Sequence, residues 1–139
     1  MLKNIVLAFD GSEYSNRALK YAKIFAERFE ATLWLVHIFT HTSDLLGYED
    51  YEKFYSKRKA GGQTLLDQAL QELRNTRFDV REELQEGPEA ESILNIAKNC
   101  QADLIIIGTR GHGTLKGLLV GSVSRKVIHH SSCPVMVVH

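Results

Sequence analysis

The chain has 139 residues, 44% of them hydrophobic and 24% charged, with 17 Lys and Arg balanced by 17 Asp and Glu. That length fits one domain able to bury a real core, and a formal charge of zero argues against bulk electrostatic binding to nucleic acid or an anionic membrane. Cys100 and Cys133 form no CxxC pair and have no histidine at zinc-like spacing, so they read as buried, reduced thiols without a disulfide. The apolar start, Met1 to Asp10, is too short for a signal peptide, and no run approaches the roughly 18 apolar residues of a membrane-spanning helix. A cytoplasmic protein is expected.

In chain order, Ile5 to Phe9 is a continuous apolar run of the kind buried on both faces of a sheet, and Asp10-Gly11-Ser12 ends it. Ala18, Ala22, Phe25 and Phe29 then fall at helical steps. Thr32 to Ile38 reads as a second buried strand, with Trp34 in the core. Thr40 to Ser56 is polar, aromatic and unpatterned, and is expected as a surface excursion. Helical spacing returns at Leu66, Ala69 and Leu73, and the run Lys57-Arg58-Lys59 reads as a solvated helix face. Phe78, Val80, Glu82 and Leu84 fall at every second position, as in a strand near the sheet edge. Gly87-Pro88-Glu89 predicts a turn with proline at the first helical position, followed by the apolar face Ala90, Ile93, Leu94 and Ala97. Leu104 to Ile107 is the fourth strand. Val123 and Val127 mark a short helix, on which His129 and His130 are surface or packing residues, and Pro134 to Val138 is the fifth strand. Strands alternating with helices imply an α/β domain over residues 1–139, a parallel sheet with helices on both faces.

The stretch from Gly108 to Val127 holds five of the ten glycines. It is not a Walker A loop, because Thr114 stands where lysine is required, and not a dinucleotide fingerprint, because Lys116 occupies the third glycine position. Gly108 is expected to turn the chain sharply. Gly111 and Gly113 leave backbone N–H groups open to a phosphate. Gly121-Ser122 opens a helix whose dipole favours an anion, Ser122 and Ser124 offer hydroxyls, and Arg110, His112 and Lys116 offer positive charge. The bland reading makes these glycines turns and Ser122 an N-cap. A β–α connection of about a dozen residues, against the usual 2–6, favours function.

The spacing Gly108-x2-Gly111-x9-Gly121-Ser122, with "DLIIIG" before it and "GSVSRKVIHHSSCPVMVV" after it, resembles the nucleotide-binding branch of the universal stress protein family. The opening "NIVLAFDGSEYSNRALKYA" and the strand end "LVHIF" are similar as well. The resemblance implies a five-stranded parallel sheet in order 3-2-1-4-5 and ATP as ligand. It implies that the backbone at Ala8 and Ile38 holds the adenine and that residues near Asp10 and Gly108 line the ribose. Thr109, Arg110, Gly111, His112, Gly113 and Thr114, with Ser122, Val123 and Ser124, would wrap the phosphates. Asp10 would face Mg²⁺ or Mn²⁺, its alternative being a cap of the first helix or its loop. A homodimer through Val135, Met136, Val137 and Val138 is also implied.

Two activities fit. One is a regulatory module that binds ATP and signals through a partner. The other is a slow ATPase or phosphoryl or adenylyl transferase, for which Asp10 and Arg110 supply some charge neutralisation but no residue stands out to position a nucleophile. The family's weak or absent hydrolysis favours the first. A phospho-accepting receiver domain lacks its acidic pair beside Asp10, and a flavodoxin-like site lacks a Ser/Thr-rich first loop.

Overall fold

Alternate side chains of β1 (Asn4–Ala8) go to opposite faces of a sheet, and this parity organises the whole molecule. Ile5 and Leu7 join Leu33 and Leu35 of β2 (Thr32–Phe39) and Leu104 and Ile106 of β4 (Leu104–Gly108) in one core layer. Val6, Ala8, Val36, Ile38, Ile105 and Ile107 form the layer on the other face. The first layer lies under α1 (Glu13–Phe29) and α2 (Tyr48–Glu72), the second under α3 (Glu89–Asn99) and α4 (Ser122–His130). The structure is a computed structural model and describes residues 1–41, 47–109 and 120–139.

With β3 (Val80–Glu86) and β5 (Val135–Val138), the sheet has five strands in the order β3-β2-β1-β4-β5, every pairing parallel. The domain is α/β, with helices on both faces as expected. The chain moves outward from β1 to β2 and β3, then crosses to the other side for β4. The reversal puts the ends of β1 and β4 together, with Ala8 paired to both Val36 and Ile107. Where neighbouring strands depart in opposite directions, a crevice opens beyond their carboxyl ends. At the opposite ends, the Asp103 carboxylate ties β1 to β4 by accepting from the backbone N–H groups of Lys3 (2.8 Å) and Asn4 (3.0 Å). Those bonds hold the Asp103 carboxyl below its ordinary range.

Three sequence expectations change. The second half of the Thr40–Ser56 excursion is helical: α2 starts at Tyr48 and runs for 25 residues. Among the described side chains its first turns have no buried one to give a period; Phe54 is exposed, and Tyr55 packs edge-on to Phe39 at 5.5 Å. Pro88 is the N-cap of α3 rather than its first residue, with extended backbone (φ −69°, ψ 142°). Gly108 is the last residue of β4, not a turn, and its φ is not positive. Its missing side chain serves a different need: a Cβ there would lie 2.7 Å from Tyr14 Cβ and 2.9 Å from the Tyr14 carbonyl carbon.

Trp34 is only half-buried at the edge of the second core layer; its indole N–H donates to Asn4 Oδ1 at 3.1 Å. His129 and His130 are exposed on α4, as expected of surface residues. Cys100 and Cys133 are free and partly buried. Among the described residues, no helix is long and apolar enough to cross a membrane.

Candidate functional site

A cavity of about 630 Å³ opens beyond the carboxyl ends of β1, β2 and β4. That size lies within the range of small-molecule sites. Its wall is assembled from Ala8 and Asp10 after β1, Ile38 at the end of β2, Gly108 at the end of β4, and Gly121 to Ser124 where α4 begins. These are eight of the residues expected from sequence, brought together from four places in the chain.

Local chemistry explains their placement. Asp10 Oδ1 accepts from the Ser12 N–H at 2.9 Å, and Ser12 Oγ in turn accepts from the Ser15 N–H at 3.2 Å as the N-cap of α1. Asp10 therefore orders the loop, while Ser12 caps the helix. At α4 the N-cap is Gly121, in extended backbone (φ −73°, ψ 169°), and Ser122 is the first helical residue; among the described residues no side chain caps the helix. The first N–H groups of α4 are thus left for an incoming acceptor. Ser124 is buried, and its hydroxyl donates to the Gly108 carbonyl at 2.7 Å, so its proton is already committed to the sheet.

Thr109 stands outside the cavity wall. Its N–H donates to Val138 O at 2.8 Å, and its carbonyl accepts from the Gly121 N–H at 2.6 Å. The chain that leaves β4 is thereby pinned to the chain that enters α4. Arg110, Gly111, His112, Gly113, Thr114 and Lys116 lie outside the described residues.

The Universal stress protein family model matches residues 1–139. The chain belongs to the universal stress protein family. A universal stress protein of Thermus aquaticus is 37% identical over 138 residues, covering 99% of each chain. Among solved structures, hypothetical protein MJ0577 superposes with a TM-score of 0.91 at 30% identity, over 99% of this chain and 96% of that one. A universal stress protein in complex with cAMP superposes with a TM-score of 0.76 at 27% identity, over 99% of this chain and 97% of that one.

In this member of the family, α2 and α3 supply cavity residues that the sequence did not disclose. Arg58 lines the cavity from α2 and donates through Nη1 to the His41 carbonyl at 3.0 Å, while Lys57, Arg58 and Lys59 are all exposed, as expected of a solvated face. Gly61, Gly62 and Leu65 continue that wall, and His37 faces it from β2. Tandem glycine inside a helix is the one signal that marked this place, since each costs about 1 kcal/mol against alanine. Glu89, read only as part of a turn, reaches the cavity from the first turn of α3.

Burial first, then the Asp10 charge, pushes the Glu89 carboxyl above its ordinary range, against an opposing pull from His37. A folded-state pKa raised for an acid means that ionisation opposes folding. Stability is therefore highest below the ordinary glutamate range, about 4.3, and falls as pH rises from there through the raised folded value. Glu89→Gln is expected to raise the melting temperature near pH 7, the gain fading to nothing on acidification. Because Glu89 keeps solvent contact, the gain stays below about 1 kcal/mol. Melting curves of both chains across this range check it; a constant offset at every pH would contradict it.

Proposed function

We propose that the cavity binds an adenine nucleotide, ATP with Mg²⁺ or Mn²⁺, and that the protein is a regulatory nucleotide-binding module of the stress response. The observation that carries the reading is the N-terminus of α4, uncapped among the described residues and opening on a cavity at the β1/β4 reversal. Anions are favoured at such a terminus, and a cavity of about 630 Å³ has room for a nucleoside together with its phosphates. The relative solved with cAMP, a phosphorylated adenosine, supports the same reading.

In this reading the backbone at Ala8 and Ile38 takes the base, and Asp10 and Gly108 line the ribose. Ser122, Val123 and Ser124, with Arg110 to Thr114, take the phosphates; Thr109, whose N–H is committed to Val138 O, stands behind them. Asp10 fits a cation bridge in part: one carboxylate oxygen is engaged by Ser12, and the described residues hold no cluster of three or more metal-binding side chains. Mg²⁺ is commonly held by one carboxylate plus substrate phosphates and water, so Asp10 would hold the ion, which would neutralise phosphate charge. The edge position of β5, with Val135, Met136 and Val137 partly exposed, supports a homodimer paired through Val135 to Val138. The free thiols of Cys100 and Cys133 suit a cytoplasmic setting.

The test is calorimetric titration of ATP, with and without Mg²⁺, into the wild type and Gly121→Val. Saturable micromolar to millimolar binding is expected for the wild type. It should be lost in the variant, which adds a branched side chain on the cavity wall. No wild-type binding at millimolar ATP overturns the reading. Phosphate release followed in the same samples should stay far below about 1 s⁻¹; turnover at that rate would make the protein an enzyme.

A further inference from the structure

His37 is 9% exposed, near the carboxyl end of β2, and is one of the residues that line the cavity. Its Nδ1 lies 2.7 Å from the carbonyl oxygen of Phe9. A carbonyl oxygen only accepts, so Nδ1 carries the hydrogen and donates; in the neutral ring Nε2 is then a bare acceptor. Among the described residues Nε2 has no hydrogen-bond partner. A buried polar atom left unpaired is unfavourable.

Helix α2 is shaped to leave the ring room. A Cβ at Gly62 would lie 2.8 Å from His37 Cδ2, 2.8 Å from Leu84 Cδ1 and 3.4 Å from Nε2, so any side chain there would press on the ring and on Leu84. A mid-helix glycine and an unpaired nitrogen, both unfavourable alone, therefore meet on one cavity wall.

We propose that His37 Nε2 accepts a hydrogen bond from a neutral donor on the nucleoside part of the bound nucleotide and so selects the ligand. The inference rests on the nucleotide-binding reading above. Phosphate oxygens are acceptors and do not satisfy Nε2 in this tautomer. The position agrees: β2 is two strand spacings, about 10 Å, from β4 and the start of α4. Two donors of a nucleoside have the required chemistry, the amino group of the base and a ribose hydroxyl.

The variant His37→Asn separates the two ring nitrogens. Its amide nitrogen takes the place of Nδ1 and keeps the bond to Phe9, while Nε2 is removed. Calorimetric titrations of the full chain would use ATP, ITP (oxo in place of the amino group), 2′-deoxyATP and 3′-deoxyATP, each with Mg²⁺. The wild type is expected to bind ATP roughly tenfold more tightly than the analogue lacking the donor that His37 reads. ITP as that analogue assigns the amino group; a deoxy analogue assigns a hydroxyl. His37→Asn should bind ATP roughly tenfold more weakly and lose the discrimination, and Gly62→Ala should reproduce the loss by displacing the ring. A folded His37→Asn chain with unchanged ATP affinity and unchanged discrimination overturns the inference. So does a wild type that binds all four nucleotides alike. If Gly121→Val still abolishes binding in either case, the nucleotide reading survives; if the wild type binds none of the four, both fall.

Discussion

A Gly108→Ala chain is expected to melt roughly 6–9 °C below the wild type. The cause is contact with backbone. The new methyl would stand 2.7 Å from Tyr14 Cβ and 2.9 Å from the Tyr14 carbonyl carbon, with Ser15 N at 3.1 Å. A flexible side chain could swing aside, but these atoms belong to the first turn of α1. That turn is tied down by Ser12 and Asp10. Either α1 tilts off the sheet or β4 bends. Overpacking of this kind costs about 2–3 kcal/mol, and at this length each kcal/mol moves the midpoint by about 3 °C. The same shift would separate Asp10 from α4 across the cavity, so nucleotide affinity should fall with stability. Thermal melts by circular dichroism give the first number. A midpoint within about 2 °C of wild type would show that α1 and β4 yield more easily than their packing suggests.

Leu66→Ala is expected to destabilise the chain by about 3 kcal/mol, within the 2–5 kcal/mol usual for a buried leucine. Leu66 is fully buried, and with Ala69 and Leu73 it holds α2 to the sheet. The long exposed first half of α2 adds little anchorage, so the loss concentrates on this one side chain. Leu70, partly buried on the same helix, sets the comparison: Leu70→Ala should cost less than half as much. Denaturant unfolding curves measure both. Equal losses would mean that α2 is held along its length rather than at Leu66. Arg58, Gly62 and Leu65 form their stretch of cavity wall just before this anchor, so nucleotide binding should weaken in Leu66→Ala even where the chain remains folded.

Those residues also show what a sequence can disclose. Leu66, Ala69 and Leu73 were legible because burial recurs with the helical period, and the apolar runs of β1, β2 and β4 because both faces of a central parallel strand are covered. Their order was not legible from periodicity, since parallel strands carry no signal of which neighbour they pair with; it rested on the resemblance. The first half of α2 left no trace because, from Glu49 to Gly61, it buries no side chain, and helix formation without a buried stripe has no apolar period to read. Of the site, the parts adjacent to the glycine spacing and to Asp10 were visible. Arg58, His37 and Glu89 were not. Each reaches the cavity through tertiary packing, and each looks ordinary beside its sequence neighbours: one cation among three, one polar residue in an apolar strand, one acid after a proline. Gly108 was noticed for the wrong property; a glycine that admits a neighbouring helix looks the same in one-letter code as one that bends the chain.

The bonds from Gly121 N–H to Thr109 O and from Ser124 hydroxyl to Gly108 O join the exit from the sheet to the entrance of the last helix. The chain departs and returns at nearly the same point, so the scaffold does not depend on how much polypeptide travels in between, and lengthening it is inexpensive, about 0.6 kcal/mol per doubling. Evolution, or a protein engineer, is therefore free to exchange that intervening segment as a cassette while the framework beneath keeps its geometry.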